Sequence, residues 1–357
     1  MKILLTGGGT AGHAWPIILV AKALQKNKRN RNLYVGSGGI EKALAKKSDI
    51  TFRKILAGKK RAYFSFLNFL DVFKTLIGII QAFFLILIFR PEVIFAKGGY
   101  VTVPIIFWVN FFKIPLVIHE SDSVMGRANT FAAKRAKKIC LGFPVKYYEG
   151  LTIPLDKLIY TGNPIGEEFF QTPIKAGERL NLLITGGSQG SSRINKIIAD
   201  ILPRLVKKYE VWHLSGENDF KELSKFNDPH YHLVSFSYEM NKYVRDADLV
   251  ISRAGAGTLA EISAAKKASI IIPLPESAGN HQVKNAKVYG DLNAAVVLGE
   301  NRLSSDSLLS IIDNLMGDEK IRELLGHHAN SLSRPGAANE IVDILFEVIA
   351  NAKIKRN

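Results

Sequence analysis

Cysteine is nearly absent: Cys140 stands alone among 357 residues. A single thiol excludes an internal disulfide and fits a reducing compartment, where Cys140 is expected as a small buried apolar side chain. A membrane-crossing run is also lacking. From Leu76 to Phe89 fourteen residues pass without a charge, short of the ~18–20 that a bilayer requires. Acidic residues are scarce in the first half. Residues 1–163 hold 25 Lys and Arg against 8 Asp and Glu, while residues 164–357 hold 23 against 24. The whole net charge of +16 therefore lies in the first half, and it points to nucleic acid, an anionic membrane surface or a phosphorylated substrate. No signal peptide is expected, because the first strand begins at residue 2.

What is present is a folded composition, 47% hydrophobic and 22% charged, in a chain long enough for two domains. Two strand-then-glycine turns sit half a chain apart. Lys2–Thr6 runs into Gly7-Gly8-Gly9-Thr10-Ala11-Gly12-His13, and 180–185 runs into Gly186-Gly187-Ser188-Gln189-Gly190. Each predicts a buried strand, a turn that lets the backbone approach a ligand, and a helix whose N-terminus suits an anion. Twin Rossmann-like α/β domains facing each other across a cleft are expected. Strands are predicted at 2–6, 33–36, 93–96, 115–118, 138–142 and 158–161, then at 180–185, 209–214, 231–235, 248–251, 269–272 and 294–298. Helices in the first half are predicted at 13–26, 39–47, 66–89, 103–112 and 125–135, and a last helix near 336–351 follows Pro335-Gly336. The linker is placed at 162–178.

The segment 59–90 carries Lys59, Lys60 and Arg61 ahead of Phe64, Phe66, Phe69, Phe73, Phe83, Phe84 and Phe89. Its apolar residues run right round the predicted helix, more than a surface helix needs. Contact with an anionic membrane surface and burial in a Rossmann layer both fit. No basic-aromatic recognition motif points to nucleic acid.

Gly7, Gly9 and Gly12 match the dinucleotide fingerprint, yet the second strand ends without the ribose-binding acid and none occurs before Glu41, so NAD is disfavoured. His13 enters the next helix, where it is either a general base or a packed helix-end residue. His119 and Glu120 follow the predicted strand at 115–118, at the carboxyl edge where α/β ligands bind. Their adjacency suits no metal set, and no metal is expected. A third cluster, Ser252 to Glu261, follows another strand. Its helix start suits a diphosphate, and Glu261 can accept from two ribose hydroxyls or merely complement the helix dipole. Asn280, His281 and Gln282 follow a proline-ended strand and suit sugar hydroxyls.

With GGGTAGH, KGGYVTVP, HES, GNP, TGGSQGSSRIN, SRAGAGTLAE and PLPESAGNHQ in this order, the whole chain resembles the MurG family of bacterial N-acetylglucosaminyltransferases, within glycosyltransferase family 28. The resemblance implies a GT-B fold in which the final helix crosses back to the N-terminal domain. The implied domains are 1–163 with about 336–357, binding acceptor and membrane, and 164–335, binding the donor. The implied reaction transfers GlcNAc, with inversion and no cofactor, from UDP-GlcNAc to the 4-hydroxyl of the muramoyl sugar of undecaprenyl-diphospho-muramoyl-pentapeptide. The implied location is the cytoplasmic face of the cell membrane, peripherally bound.

Carried over by position, Thr10, Ala11, Gly12, Ser188, Ala256, Gly257, Thr258, Leu259, Ala260, Glu261 and Gln282 are expected at the donor. His13 and Glu120 are expected at acceptor activation, and Gly9, Thr10, Gly99 and Tyr100 at the acceptor diphosphate. Three positions depart from the family pattern: Asp122 where some members have Asn, Gly166 where some have Arg, and Ala11 for glycine. Donor binding is then expected to lean on backbone N–H groups, Arg193 or Arg253. A diacylglycerol glycosyltransferase, a UDP-GlcNAc 2-epimerase and a non-catalytic nucleotide-sugar-binding subunit are the rival readings.

Overall fold

A computed structural model describes residues 1–9, 11–58, 66–148, 150, 152–172, 177–187 and 190–354. The chain divides into two compact units, Met1–Ile165 with Gly336–Asn357, and Gly166–Pro335.

The first unit is a seven-stranded parallel sheet. In chain order its elements are β1 (Lys2–Thr6), α1 (Ala11–Gln25), β2 (Arg31–Gly36), α2 (Ile40–Lys47), β3 (Phe52–Lys54), α3 (Phe66–Phe89), β4 (Val93–Ala96), α4 (Val103–Phe107), β5 (Leu116–Glu120), α5 (Arg127–Ala133), β6 (Lys138–Leu141) and β7 (Leu158–Tyr160). The strand order is β3-β2-β1-β4-β5-β6-β7, so the order reverses between β1 and β4. There two loops leave adjacent carboxyl ends, with Thr6 opposite Ala96, and open the crevice that α/β ligands use.

The second unit repeats the plan. It holds β8 (Asn181–Thr185), α6 (Ser192–Leu205), β9 (Glu210–Leu214), α7 (Glu217–Leu223), β10 (Tyr231–Val234), α8 (Met240–Asp246), β11 (Leu249–Ser252), α9 (Ala256–Ala264), β12 (Ala268–Ile271), α10 (His281–Asp291), β13 (Val296–Val297), α11 (Ser305–Gly317) and α12 (Glu319–Asn330). The order β10-β9-β8-β11-β12-β13 places its reversal between β8 and β11. The last helix, α13 (Ala337–Ile354), belongs to the first unit. There Ile341, Leu345 and Val348 join Ile17, Ala21 and Leu24 of α1 and Cys140 of β6 in one core.

Two local expectations fail. β3 is absent from the sequence reading because it is a three-residue edge strand with two exposed charged side chains, so the apolar alternation that marks a strand is missing. The helix predicted at 103–112 ends at Phe107. The chain then turns so that the Trp108 indole N–H donates to the Ile79 carbonyl of α3 at 2.8 Å, and Lys113 adopts φ 52° at the turn into β5.

Helix α3 has the predicted bounds but not the predicted reach. The charge-free run is short, yet the turns bearing Asp71 and Lys74 extend it. Asp71–Phe89 is long and apolar enough, by length and composition, to cross a membrane. Its place in the fold is the crossover from β3 to β4. Ala82 and Ile86 are buried, and an added Cβ at Gly78 would strike the Leu56 carbonyl, so the helix lies directly on the chain before it. Asp71 is buried and paired with Lys74 at 3.2 Å. The other face is a stripe of Phe69, Phe73, Leu76, Ile80, Phe84 and Ile88, all exposed, flanked by exposed Phe107 and Phe111. An apolar face of this kind marks an interaction surface. Lys59, Lys60, Arg61 and Phe64 lie outside the described residues.

Candidate functional site

In the first unit the two loops at the strand-order reversal touch. The Gly8 amide donates to the Gly98 carbonyl at 3.4 Å. Gly99 has φ 86°, and any side chain there would strike the Gly8 carbonyl, so only glycine permits this approach. The Tyr100 ring packs over Gly9, and its hydroxyl lies 3.3 Å from Ser37 Oγ. Gly12 is exposed and His13 half-buried on the first turn of α1. Pro16 cannot supply the N–H that would close on the Gly12 carbonyl. Ala11 opens the same helix; Thr10 lies outside the described residues.

Glu41, the acid that comes too late for a ribose, closes the first glycine loop instead. Its buried carboxylate accepts from the amides of Gly9, Ser37 and Gly38, the last two at 2.8 and 2.9 Å, and from Ser37 Oγ. The amide of Gly9, a residue expected at the acceptor diphosphate, thus donates to an internal carboxylate.

Glu120 is buried at the end of β5. Its Oε1 accepts from the Asp122 amide at 3.1 Å, and its Oε2 from the Gly126 amide and Asn129 Nδ2, both at 2.9 Å. Asn129 and Lys97 are residues the sequence reading passed over. Lys97 is a charged residue ending a buried strand, and that was the available signal. Burial and the neighbouring Asp122 raise the Glu120 carboxyl above the usual range, while Lys97 and the N–H donors oppose them. His119 donates through Nε2 to the Gly162 carbonyl at 2.9 Å, since a carbonyl can only accept. Burial holds it well below the ordinary imidazole range, so it is neutral.

In the second unit, α6 begins behind the second glycine turn with Ser191 as its N-cap, and α9 begins behind Gly255 on the adjacent strand. Both helix starts emerge at the reversal point and present N–H groups to an anion. Ser188 lies outside the described residues. Gly257 is exposed, Thr258, Ala260 and Glu261 are half-buried, and Ala256 is buried. Leu259 is wholly in the core, so only its backbone can meet a ligand. Burial, with the Glu168 charge adding to it, pushes the Glu261 carboxyl up to about 8. Glu168 folds over Gly166, where an added Cβ would strike its carboxylate. A carboxylate thus stands where the family pattern offers an arginine.

Gln282 Oε1 accepts from the Leu274 amide at 3.0 Å. That donor fixes the orientation of the carboxamide and directs its nitrogen to other partners. Arg253 is buried and fully engaged. Its Nε donates to Ser191 Oγ at 3.1 Å, its Nη1 to the Ile272 carbonyl at 3.1 Å, and its Nη2 pairs with Glu300 at 2.6 Å. Arg193 reaches the Glu300 carbonyl as well, at 3.1 Å. Arg253 thus braces the N-cap of α6 from behind, whereas Arg193 pairs with Glu300 and keeps an exposed side chain. Among the described residues no group of three His, Cys, Asp or Glu is placed to hold a metal ion.

The profile of the glycosyltransferase family 28 N-terminal domain matches residues 3–141, and that of the family 28 C-terminal domain matches residues 181–340. The chain belongs to glycosyltransferase family 28. Curated family relatives run its full length. A UDP-N-acetylglucosamine--N-acetylmuramyl-(pentapeptide) pyrophosphoryl-undecaprenol N-acetylglucosamine transferase of Bacillus licheniformis is 34% identical over 99% of this chain and 100% of that protein. The protein of the same name from Clostridium perfringens is 37% identical over 96% and 97%. Among solved structures, MurG of Acinetobacter baumannii aligns with TM-score 0.76 at 24% identity, covering 97% of this chain and 99% of that one. A putative UDP-N-acetylglucosamine 2-epimerase from Listeria monocytogenes aligns with TM-score 0.71 at 13% identity, covering 96% and 94%. These two structures establish the shared GT-B fold, which serves more than one reaction. Family 28 membership makes the protein a glycosyltransferase.

Proposed function

We propose that this family 28 enzyme transfers GlcNAc from UDP-GlcNAc to the 4-hydroxyl of the muramoyl sugar of undecaprenyl-diphospho-muramoyl-pentapeptide, the lipid I to lipid II step of peptidoglycan synthesis, with inversion. The observation that carries the reading is the full-length identity of 34–37% to relatives named for this transfer. In one displacement the acceptor oxygen bonds to the anomeric carbon as the bond to UDP breaks. The hydroxyl proton passes to a base, and the electron pair leaves with UDP. His13 is assigned as that base. The N-termini of α6 and α9 stabilise the departing diphosphate, and Glu261 and Gln282 hold ribose and GlcNAc hydroxyls. Gly99 and Tyr100 receive the acceptor diphosphate, the Gly9 amide being held by Glu41. The test incubates the protein with labelled UDP-GlcNAc with and without lipid I. Label in a lipid disaccharide only when lipid I is present supports the reading. Label moved to diacylglycerol, or epimerised on UDP without acceptor, replaces it.

The exposed stripe of α3, within the basic first unit, supports peripheral docking on the cytoplasmic leaflet, where a polyprenyl-linked acceptor resides. Burying an Ile or Phe contributes about 1.5–3 kcal/mol. Ile80→Glu with Phe84→Glu is therefore expected to weaken co-sedimentation with anionic vesicles about a hundredfold. Transfer to a short-chain soluble acceptor should persist. Unchanged vesicle binding would remove α3 from the docking surface.

Glu261 also predicts a pH dependence. With its carboxyl near 8, it is mostly protonated at pH 7 in the free protein, whereas accepting from two ribose hydroxyls requires the carboxylate. UDP binding then releases a proton. Affinity should rise about tenfold from pH 7 to pH 9 and level off above. Glu168→Gln removes the repelling charge and should tighten UDP at pH 7. Calorimetric titration across this range checks both effects, and a flat profile would deny Glu261 the ribose role.

A further inference from the structure

Glu41 is 1% exposed, and no step of the reaction assigned above uses it. It stands on the first turn of α2, just after β2. Its Oε2 accepts from the amides of Ser37 and Gly38 at 2.8 and 2.9 Å, and the Ser37 hydroxyl donates to the same oxygen at 3.0 Å. Those three bonds are local, of the kind a carboxylate makes in closing its own helix start. The fourth is not local. Glu41 Oε1 accepts from the Gly9 amide, 32 residues away in the first glycine loop. One carboxylate therefore ties the loop after β1 to the loop after β2.

Both loops are shaped around it. An added Cβ at Gly8 would strike Glu41 Oε1, and one at Gly36 would come within 2.9 Å of Oε2, so the backbone stays bare where the carboxylate lies. The four partners, three N–H groups and one hydroxyl, all donate. A carboxylate satisfies such a set through two accepting oxygens, whereas a carboxamide turns an –NH2 against it. The contacts then lead outward. Ser37 Oγ lies 3.3 Å from the Tyr100 hydroxyl, and the Tyr100 ring packs over Gly9. Gly9 in turn leads into α1, whose first turn carries His13. Every residue in this chain of contacts belongs to the first unit.

We propose that Glu41 is a resident anion that holds the first glycine loop in its working shape, so that a free carboxylate ion of matching size can stand in for it. Glu41 is on this account a positioning residue, acting through Gly9 and Ser37 on His13 and Tyr100. The inference rests on the proposed function for the reaction that reads it out. Glu41→Ala keeps the Cβ and removes a carboxymethyl group, which acetate matches in size and charge.

The experiment compares the native chain, Glu41→Ala and Glu41→Gln in GlcNAc transfer to lipid I with rising sodium acetate, sodium chloride holding the ionic strength constant. UDP affinity and melting temperature are measured on the same samples. Glu41→Ala should lower kcat by about a hundredfold, the loss expected when a reacting group is misplaced by about 1 Å, and leave UDP affinity unchanged. Acetate should raise its kcat by at least about tenfold, the worth of one recovered charged hydrogen bond, with saturation. It should also raise the melting temperature of this variant, because acetate binds the folded chain. The native chain and Glu41→Gln should not respond, since their own side chains fill the place. Glu41→Gln should lose at least about tenfold in kcat, again with UDP affinity unchanged. A Glu41→Ala chain that folds only in acetate supports the same conclusion. Where it folds in neither salt, Glu41→Gln decides: the expected loss upholds the proposal and native turnover overturns it. Native kcat in Glu41→Ala, no gain from acetate beyond the chloride control, or a parallel fall in UDP affinity also overturns it. A native chain that moves no label to lipid I removes the proposed function instead, and the acetate-dependent melting of Glu41→Ala still reads this site by itself.

Discussion

Replacing His13 with alanine is expected to slow GlcNAc transfer about a hundredfold to ten-thousandfold, the usual contribution of a general base, with little change in UDP affinity. Glu120 is the other group that could take the proton. Glu120 accepts from three N–H groups, so taking a proton would break a set of bonds built around the carboxylate. That suits a fixed charge better than a proton carrier. His13 stands on the first turn of α1, directly behind the glycine loop, and imidazole changes charge near neutral pH without help. Steady-state kcat with a separate UDP titration separates the roles, since a base lost from the first unit leaves the donor contacts of the second untouched. A His13→Ala enzyme with full turnover would pass the base role to Glu120.

Arg253→Ala is expected to destabilise the second unit by about 3 kcal/mol, the low end for breaking a buried ion pair, because Arg193 still pairs with Glu300 at 3.7 Å. Glu300 has 16% side-chain exposure and Arg253 9%, so water replaces little of the lost interaction. The same guanidinium donates to Ser191, the N-cap of α6, and to the Ile272 carbonyl. The second glycine turn therefore loosens with it, and UDP affinity should fall in parallel. Hydrogen exchange at the amides of β11 and α6 reads this unit locally. Faster exchange there, with β1 and β5 unchanged, is the expected pattern. Arg253→Leu with Glu300→Leu should recover most of the stability but not the UDP affinity. If exchange stays at its native level while UDP affinity collapses, Arg253 is a direct ligand contact and its bracing role is minor.

Both predictions show where the sequence was legible. His13 and the two glycine turns could be located because strand, turn and helix follow one another within a dozen residues, and each step has a local chemical signature. The bounds of α3 were readable for the same reason, since a long apolar helix needs no partner to be recognised. Its two faces were not. Which side chains pack and which stay exposed depends on Leu56 and Trp108, distant in the chain and adjacent in space. Arg253 could be read only as a spare cation near the donor, because its three partners come from three other segments.

By itself the sequence determined two Rossmann-like halves, the charge difference between them, the family and the glycine loops, since these rest on composition, periodicity and short spacings. Tertiary structure alone decided which groups compensate one another. Glu41 closes the first loop, Lys97 reaches Ser121 beside Glu120, Glu168 folds over Gly166 and adds its charge to Glu261, and Arg253 braces a helix cap. The physical reason is common to all four. Hydrogen bonds and Coulomb forces act through space over a few ångströms, and a parallel sheet brings together strand ends that are dozens of residues apart in the chain.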